Sequence, residues 1–132
     1  DTSAWSGIPK ITSGTWATST LLANTISINI LNATTTKWVN FSKQFNYTMT
    51  KVRCQSYSGS STIQIVNRGQ TGAGTATSTL SSALICDTGF QASTTAFSLA
   101  TTTAIDIISA STSATNGTPD TYIYIDYTRT GY

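Results

Sequence analysis

The chain has no histidine and no glutamate, only two cysteines, two prolines and one methionine, and charge on 9% of its 132 residues, where an ordinary soluble domain carries about 25%. Each shortage excludes something. Without histidine, the usual general base and the commonest metal ligand are missing. Without glutamate, every carboxylate role falls to Asp1, Asp87, Asp106, Asp120 and Asp126. A hydrolase, a zinc site or a kinase-like centre would have to be built from almost nothing, so no enzyme activity, cofactor or metal is expected. Seven cations against five acids give a net charge of +2, but only Lys51 and Arg53 form a close pair. Scattered cations do not make the basic stripe on which nucleic-acid affinity rests. No apolar run approaches the ~20 residues that span a bilayer, and no basic-then-apolar leader precedes a small-residue cleavage site. Opening at Asp1 rather than Met, the chain reads as a processed product or an excised fragment.

What replaces charge is hydroxyl: 46 of the 132 residues are Ser or Thr. Thr is β-branched and suits a pleated, half-exposed surface, whereas Ser, Thr and Asn compete with the backbone inside helices. Aromatic residues at 10% and recurrent Ile separate this composition from that of a disordered chain. Low charge with abundant hydroxyl accompanies secreted and surface-displayed proteins, so an extracellular location is expected.

Period-2 alternation marks the strands. In residues 24–31, Ile26, Ile28 and Ile30 share one face and Ser27 and Asn29 the other. Residues 38–45 alternate aromatic with polar. In 49–57, Val52 and Cys54 oppose Lys51, Arg53 and Gln55, and Ser58, Gly59 and Ser60 make a hairpin turn into 62–67. Further strands are expected at 80–86, 94–99, 104–108 and 121–127, the last with Ile123, Ile125 and Tyr127 on one face and Tyr122, Tyr124 and Asp126 on the other. No segment of 11 or more residues carries a helical stripe. Eight short antiparallel strands at spacings near a dozen residues predict an all-β, jelly-roll-like sandwich. It forms one domain over residues 24–132, preceded by an arm or irregular first strand over 1–23.

Cys54 alternates in phase with Val52, and Cys86 with Leu84, so both thiols face a core. They are either bridged or two small buried hydrophobes. Asn32, Asn40, Asn46 and Asn116 open Asn-X-Ser/Thr sequons, where seven Asn in so hydroxyl-rich a chain give about 2.4 by chance. Trp38, Tyr47, Tyr57, Tyr122 and Tyr124 are candidates for a sugar-stacking platform; as cross-strand aromatic pairs they instead serve the sheet. Asp87, Asp106, Asp120 and Asp126 are candidate calcium ligands without a D-x-D-x-D-G loop. Asp106 and Asp126 are a carboxylate pair of the kind glycoside hydrolysis requires, though each sits among Ile and Tyr. Gly69, Gly72 and Gly74 lack the Lys and following helix of a phosphate cradle and read as a mobile loop. The segment TWATSTLLANTISINIL is long, β-prone and nearly uncharged. It suits donation to a neighbour's open sheet edge, or service as its own domain's first strand.

The strings FSKQFNYTMTKVRCQSYSGSSTIQIVNRG, STLSSALICDTGFQASTTAFSLATTTAIDIISAS and GTPDTYIYIDYT resemble a β-sandwich domain of bacteriophage tail-fibre and other virion-surface proteins, over roughly two-thirds of the chain. The resemblance implies a non-enzymatic, repeated surface module that touches glycans or packs in trimers or arrays. This chain departs from it in the N-terminal arm and in the long SASTSATNGTPD turn. Together these readings predict a surface-exposed structural subunit of a virion fibre or a similar extracellular assembly, a homo-oligomer, with the virion surface implied by the resemblance. The alternative is a carbohydrate-binding module that uses Trp38, Tyr57, Tyr122 and Tyr124.

Overall fold

The structure, a computed structural model, describes residues 23–32, 34–71 and 75–131. The expected arm lies outside this range but for Ala23, as do Gly72 and Gly74. Eight strands form one antiparallel sheet: β1 (Ala23–Ile30), β2 (Lys37–Phe41), β3 (Tyr47–Asn67), β4 (Thr77–Ser78), β5 (Leu84–Cys86), β6 (Ala92–Thr94), β7 (Thr101–Thr102) and β8 (Ile108–Arg129). The described residues contain no helix, and hence none long and apolar enough to cross a membrane.

β3 and β8, of 21 and 22 residues, pair with each other along their whole length. Ribbons of this length twist and bend, and bulges fix where. Register shifts fall between Met49 and Lys51, Tyr57 and Gly59, and Ser60 and Ser61. The last two make a corner, where Ser58, Gly59 and Gly117 take φ of 63°, 145° and 72°. A Cβ on Gly59 would overlap the Asn116 carbonyl, and one on Gly117 would lie 2.6 Å from that of Ser58. Only glycine allows the two backbones to pass so closely.

The sheet folds over at this corner. Thr112 and Thr121 belong to the same strand and would stand about 30 Å apart if it were straight. Instead Thr112 Oγ1 donates to Thr121 Oγ1 at 3.3 Å. One arm of the fold holds β1, the second half of β8, the first half of β3, and β6 and β7. The other holds β2, the first half of β8, the second half of β3, and β4 and β5. At the β4–β7 side the arms are stitched together. The Thr79 amide donates to Ile65 O at 2.8 Å, its carbonyl accepts from Ser98 N at 2.9 Å, and Leu80 bridges Phe97. The architecture is all-β and compatible with the expected sandwich.

Between the arms lies one apolar core: Ile28, Ile30, Val52, Cys54, Ile123 and Ile125 from one side, Ile63, Ile65, Ile108 and Ala110 from the other, with Leu80 at the seam. Each fully buried Ile contributes about 1.5–3 kcal/mol. Ile123 and Ile125 are fully buried and Tyr122 and Tyr124 half-buried outside, as the alternation predicts. Near the corner the interior turns polar. Ser56, Ser61, Thr112 and Thr121 have no solvent exposure, and their hydroxyls bond to one another, which removes most of the cost of burying them.

Four expectations are corrected. Ser58, Gly59 and Ser60 do not turn a hairpin; they bend a single strand, so 49–57 and 62–67 are both β3. SASTSATNGTPD is not a turn but lies within β8, paired with β3. Ala104–Ile107 is a turn rather than a strand, with Ile105 at φ 61°. In place of the expected strand over 94–99, β6 ends at Thr94 and Phe97 makes an isolated bridge.

Candidate functional site

Two outward faces and one strand edge are the chemically interesting surfaces. On the first arm's outer face the register aligns Asn29, Tyr122 and Gln55 in one row, Ser27, Tyr124 and Arg53 in the next, and Thr25, Asp126 and Lys51 beyond. Tyr57, 47% exposed, meets Tyr122 edge-on at 5.4 Å between centroids. Arg53 lies 5.2 Å from the centre of the Tyr124 ring and grips Asp126 with two bonds, Nη2 to Oδ1 at 2.8 Å and Nε to Oδ2 at 3.2 Å. Thr25 Oγ1 adds a third at 2.7 Å. Partial burial raises the Asp126 pKa, but the bonds from Arg53 and Thr25 and the charges of Arg53 and Lys51 outweigh it, so the carboxyl titrates below its ordinary value. An acid held this way is an ionised anchor, not a proton donor.

Trp38 does not join this platform. It pairs in register with Ser111 while its neighbour Val39 pairs with the buried Ala110, which places the indole on the outer face of the other arm. The fold-over between Thr112 and Thr121 turns that face the opposite way. There Trp38, 47% exposed, carries the Arg68 guanidinium 4.8 Å from its ring centre. Arg68 Nε donates to Ser109 Oγ at 2.8 Å, and Ser109 Oγ donates to Asn40 Oδ1. Arg68 was not foreseen from the sequence; its only signal was its place at the end of the 62–67 strand. Tyr47 is also corrected. It is fully buried against Phe45 and Tyr127, with ring centres 6.2 and 5.3 Å away, because the bulge at Thr50 reverses the alternation N-terminal to Val52.

The acids are dispersed. Asp106 caps its own turn, accepting from Thr103 N and Oγ1 at 3.2 and 2.6 Å and from Asn67 Nδ2 at 3.3 Å. Asp120 accepts from Asn32 N at 2.7 Å, and the Asp87 carbonyl accepts from Ser56 N. Asp106 and Asp126 thus serve different hydrogen-bond partners. Among the described residues no three His, Cys, Asp or Glu side chains gather into a metal site.

Cys54 of β3 and Cys86 of β5 are both fully buried and joined in a disulfide, which ties one arm to the other across the corner. Of the sequon residues, Asn32, Asn40 and Asn116 are exposed. Asn46 is built into the fold: its Oδ1 accepts from Ala104 N at 2.7 Å and its backbone pairs with Gly131.

The edge is that of β1. Among the described residues it pairs with β8 alone, and along Thr25–Ile30 none of them forms a backbone hydrogen bond on the side away from β8.

No family model and no curated protein sequence matches the chain. Two solved structures are similar in shape. One is a chain of Bacillus endospore appendages, described as a novel family of disulfide-linked pili, with 20% identity over 82% of this chain and 88% of that one, at a TM-score of 0.40. The other is a CBM4 chain with 11% identity over 80% of this chain and 71% of that one, at a TM-score of 0.32. Identities and scores this low transfer no function, and neither structure is a phage tail fibre.

Proposed function

We propose that the chain is a non-catalytic structural subunit of an extracellular homo-oligomeric assembly, such as a surface filament or virion fibre, and that it assembles by strand addition at β1. The observation that carries this reading is the β1 edge. The strand is eight residues long, ANTISINI, without a charge or a proline, the devices by which natural edge strands block pairing. At the other side of the fold the arms are stitched shut through Thr79 and Leu80. Residues 1–22 of a neighbouring copy are the proposed occupant. They include the β-prone, uncharged run from Thr15 to Leu22, and a strand laid against Thr25–Ile30 would gain a ladder of backbone hydrogen bonds.

The buried disulfide supports an oxidising, extracellular setting. The non-catalytic part of the reading is supported by the engagement of Asp106, Asp120 and Asp126 in structural hydrogen bonds. Light scattering on the full chain tests the assembly, against a Ser27→Lys/Asn29→Lys variant that charges the edge without touching the core and a variant lacking residues 1–22. Large assemblies that fall to single copies in both variants are expected. Single copies in all three samples would contradict the reading.

The second reading, carbohydrate capture, is favoured by the pairing of exposed Tyr57 with half-buried Tyr122, flanked by Gln55 and Asn29. Glycan binding that drops on Tyr122→Ala and Tyr124→Ala would support it, and full retention would dismiss it.

A further inference from the structure

Arg53 and Arg68 make an informative contrast. Arg53 is neutralised by a two-bond pair with Asp126, the one ion pair among the described residues. Arg68 has no carboxylate partner among the described residues. It is nevertheless held still, by stacking on Trp38 and by the bond from Nε to Ser109 Oγ. Ser109 is itself fully buried and bonded to Asn40 Oδ1, so the support beneath the guanidinium is rigid. Its backbone is fixed as well, with Arg68 N donating to Ile107 O at 2.8 Å. The described hydrogen bonds occupy Nε and leave the outer fork of Nη1 and Nη2 for another acceptor. A surface arginine kept only for solubility needs none of this immobilisation, which costs side-chain entropy. An arginine that receives a ligand gains from having that entropy already spent.

The Trp38 indole on which the guanidinium rests is itself 47% exposed, and the row across the face, Trp38, Ser111 and Gln64, is otherwise small or polar. A planar, apolar ring next to an uncompensated fork-shaped cation matches a ligand with a flat C–H face and a carboxylate on its rim. We infer that Trp38 and Arg68 form a binding site for acidic saccharides, in which the indole stacks on a uronic or sialic acid ring and the Arg68 fork takes its carboxylate. Asn40 and Ser109 act as positioning residues that aim the guanidinium. The site lies on the opposite side of the fold from Tyr57, Tyr122 and Tyr124, and it depends neither on assembly at β1 nor on sugar capture by the tyrosines.

The test uses the full chain carrying Trp5→Phe and Trp16→Phe, so that fluorescence reports Trp38 alone. Tetragalacturonate, its neutral methyl ester, glucuronate and sialyllactose are titrated to about 10 mM, where even weak sites show. At least one acid should shift the emission, the methyl ester should bind far more weakly than its acid, and Arg68→Gln should weaken acid binding about ten- to hundredfold. Arg68→Lys, which keeps the charge and loses the fork, should lie between the two; circular dichroism of each variant establishes that the fold survives. Binding of none of the three acids, equal binding of ester and acid, or affinity unchanged in both Arg68 variants would overturn the inference. So would equally tight binding of inorganic phosphate or a thymidine oligonucleotide.

Discussion

Ser61 Oγ lies 2.8 Å from Thr121 Oγ1, although in register Ser61 stands opposite Ala114 and Thr121 opposite Ser56. The two meet across the interior of the corner, where Ser56 Oγ also reaches Ser61 at 2.8 Å. Thr121→Val keeps the shape and removes the hub of this group, which leaves buried hydroxyls short of partners at a cost of about 1–3 kcal/mol. Removing Ser61 as well, by Ser61→Ala, should cost less than the sum of the single changes, because the two share partners. Urea unfolding of the four chains measures this coupling; strict additivity would show that the hydroxyls act independently.

The Cys54–Cys86 disulfide closes a loop across the same corner, with a sequence separation of 32. In the chain-entropy picture such a bond stabilises by about 3–4 kcal/mol. Cys54→Ala/Cys86→Ala should lower the unfolding free energy by that order, as should reduction. Because both sulfurs are buried, reduction of the folded chain should be slow until denaturant opens the arms. Rapid thiol release from the folded protein would contradict the buried clamp.

Two groups set the pH limits of stability. The Asp126 pKa is lowered in the fold, so its contribution is fully present above the ordinary value of 3.8 and is lost as pH falls through the lower folded value. The pair is about a quarter exposed, so Asp126→Asn should cost no more than about 1 kcal/mol at pH 7 and flatten the acid limb. Burial pushes the Tyr47 hydroxyl up to about 12, partly offset by Thr102, although neither Tyr47 Oη nor Thr102 Oγ1 makes a hydrogen bond of good geometry among the described residues. Its neutral form is the one the fold keeps, so stability is full below pH 10 and declines as pH rises toward 12. Tyr47→Phe should remove that decline and change stability at pH 7 by no more than about 1 kcal/mol, since no partner is lost. Thermal melts at pH 3, 7 and 11 check both.

The sequence carried the strands best where a strict alternation of large and small residues met a dry face. Ile26, Ile28 and Ile30, and Ile123, Ile125 and Tyr127, face the core as their period requires. It misled where turn chemistry serves a bend inside a strand, as at Ser58–Ser60, and where buried Ser and Thr satisfy one another, which made 109–120 look solvent-bound. A bulge inverts inside and outside with no compositional mark, and that is why Tyr47 read as a surface ring. The site was half legible: the aromatic residues were visible, but their division between opposite faces depends on the corner, and the pairing of Trp38 with Arg68 joins β2 to the end of β3 across β8.

Amide hydrogen exchange over residues 23–30, measured on the concentrated full chain and on its Ser27→Lys/Asn29→Lys variant, tests assembly at β1 most directly. The amides of Thr25–Ile30 that point away from β8 should be protected in the concentrated full chain and exchange quickly in the variant. Equal exchange in both samples, while the β8 partners Thr121–Thr128 stay protected, would contradict strand addition at this edge.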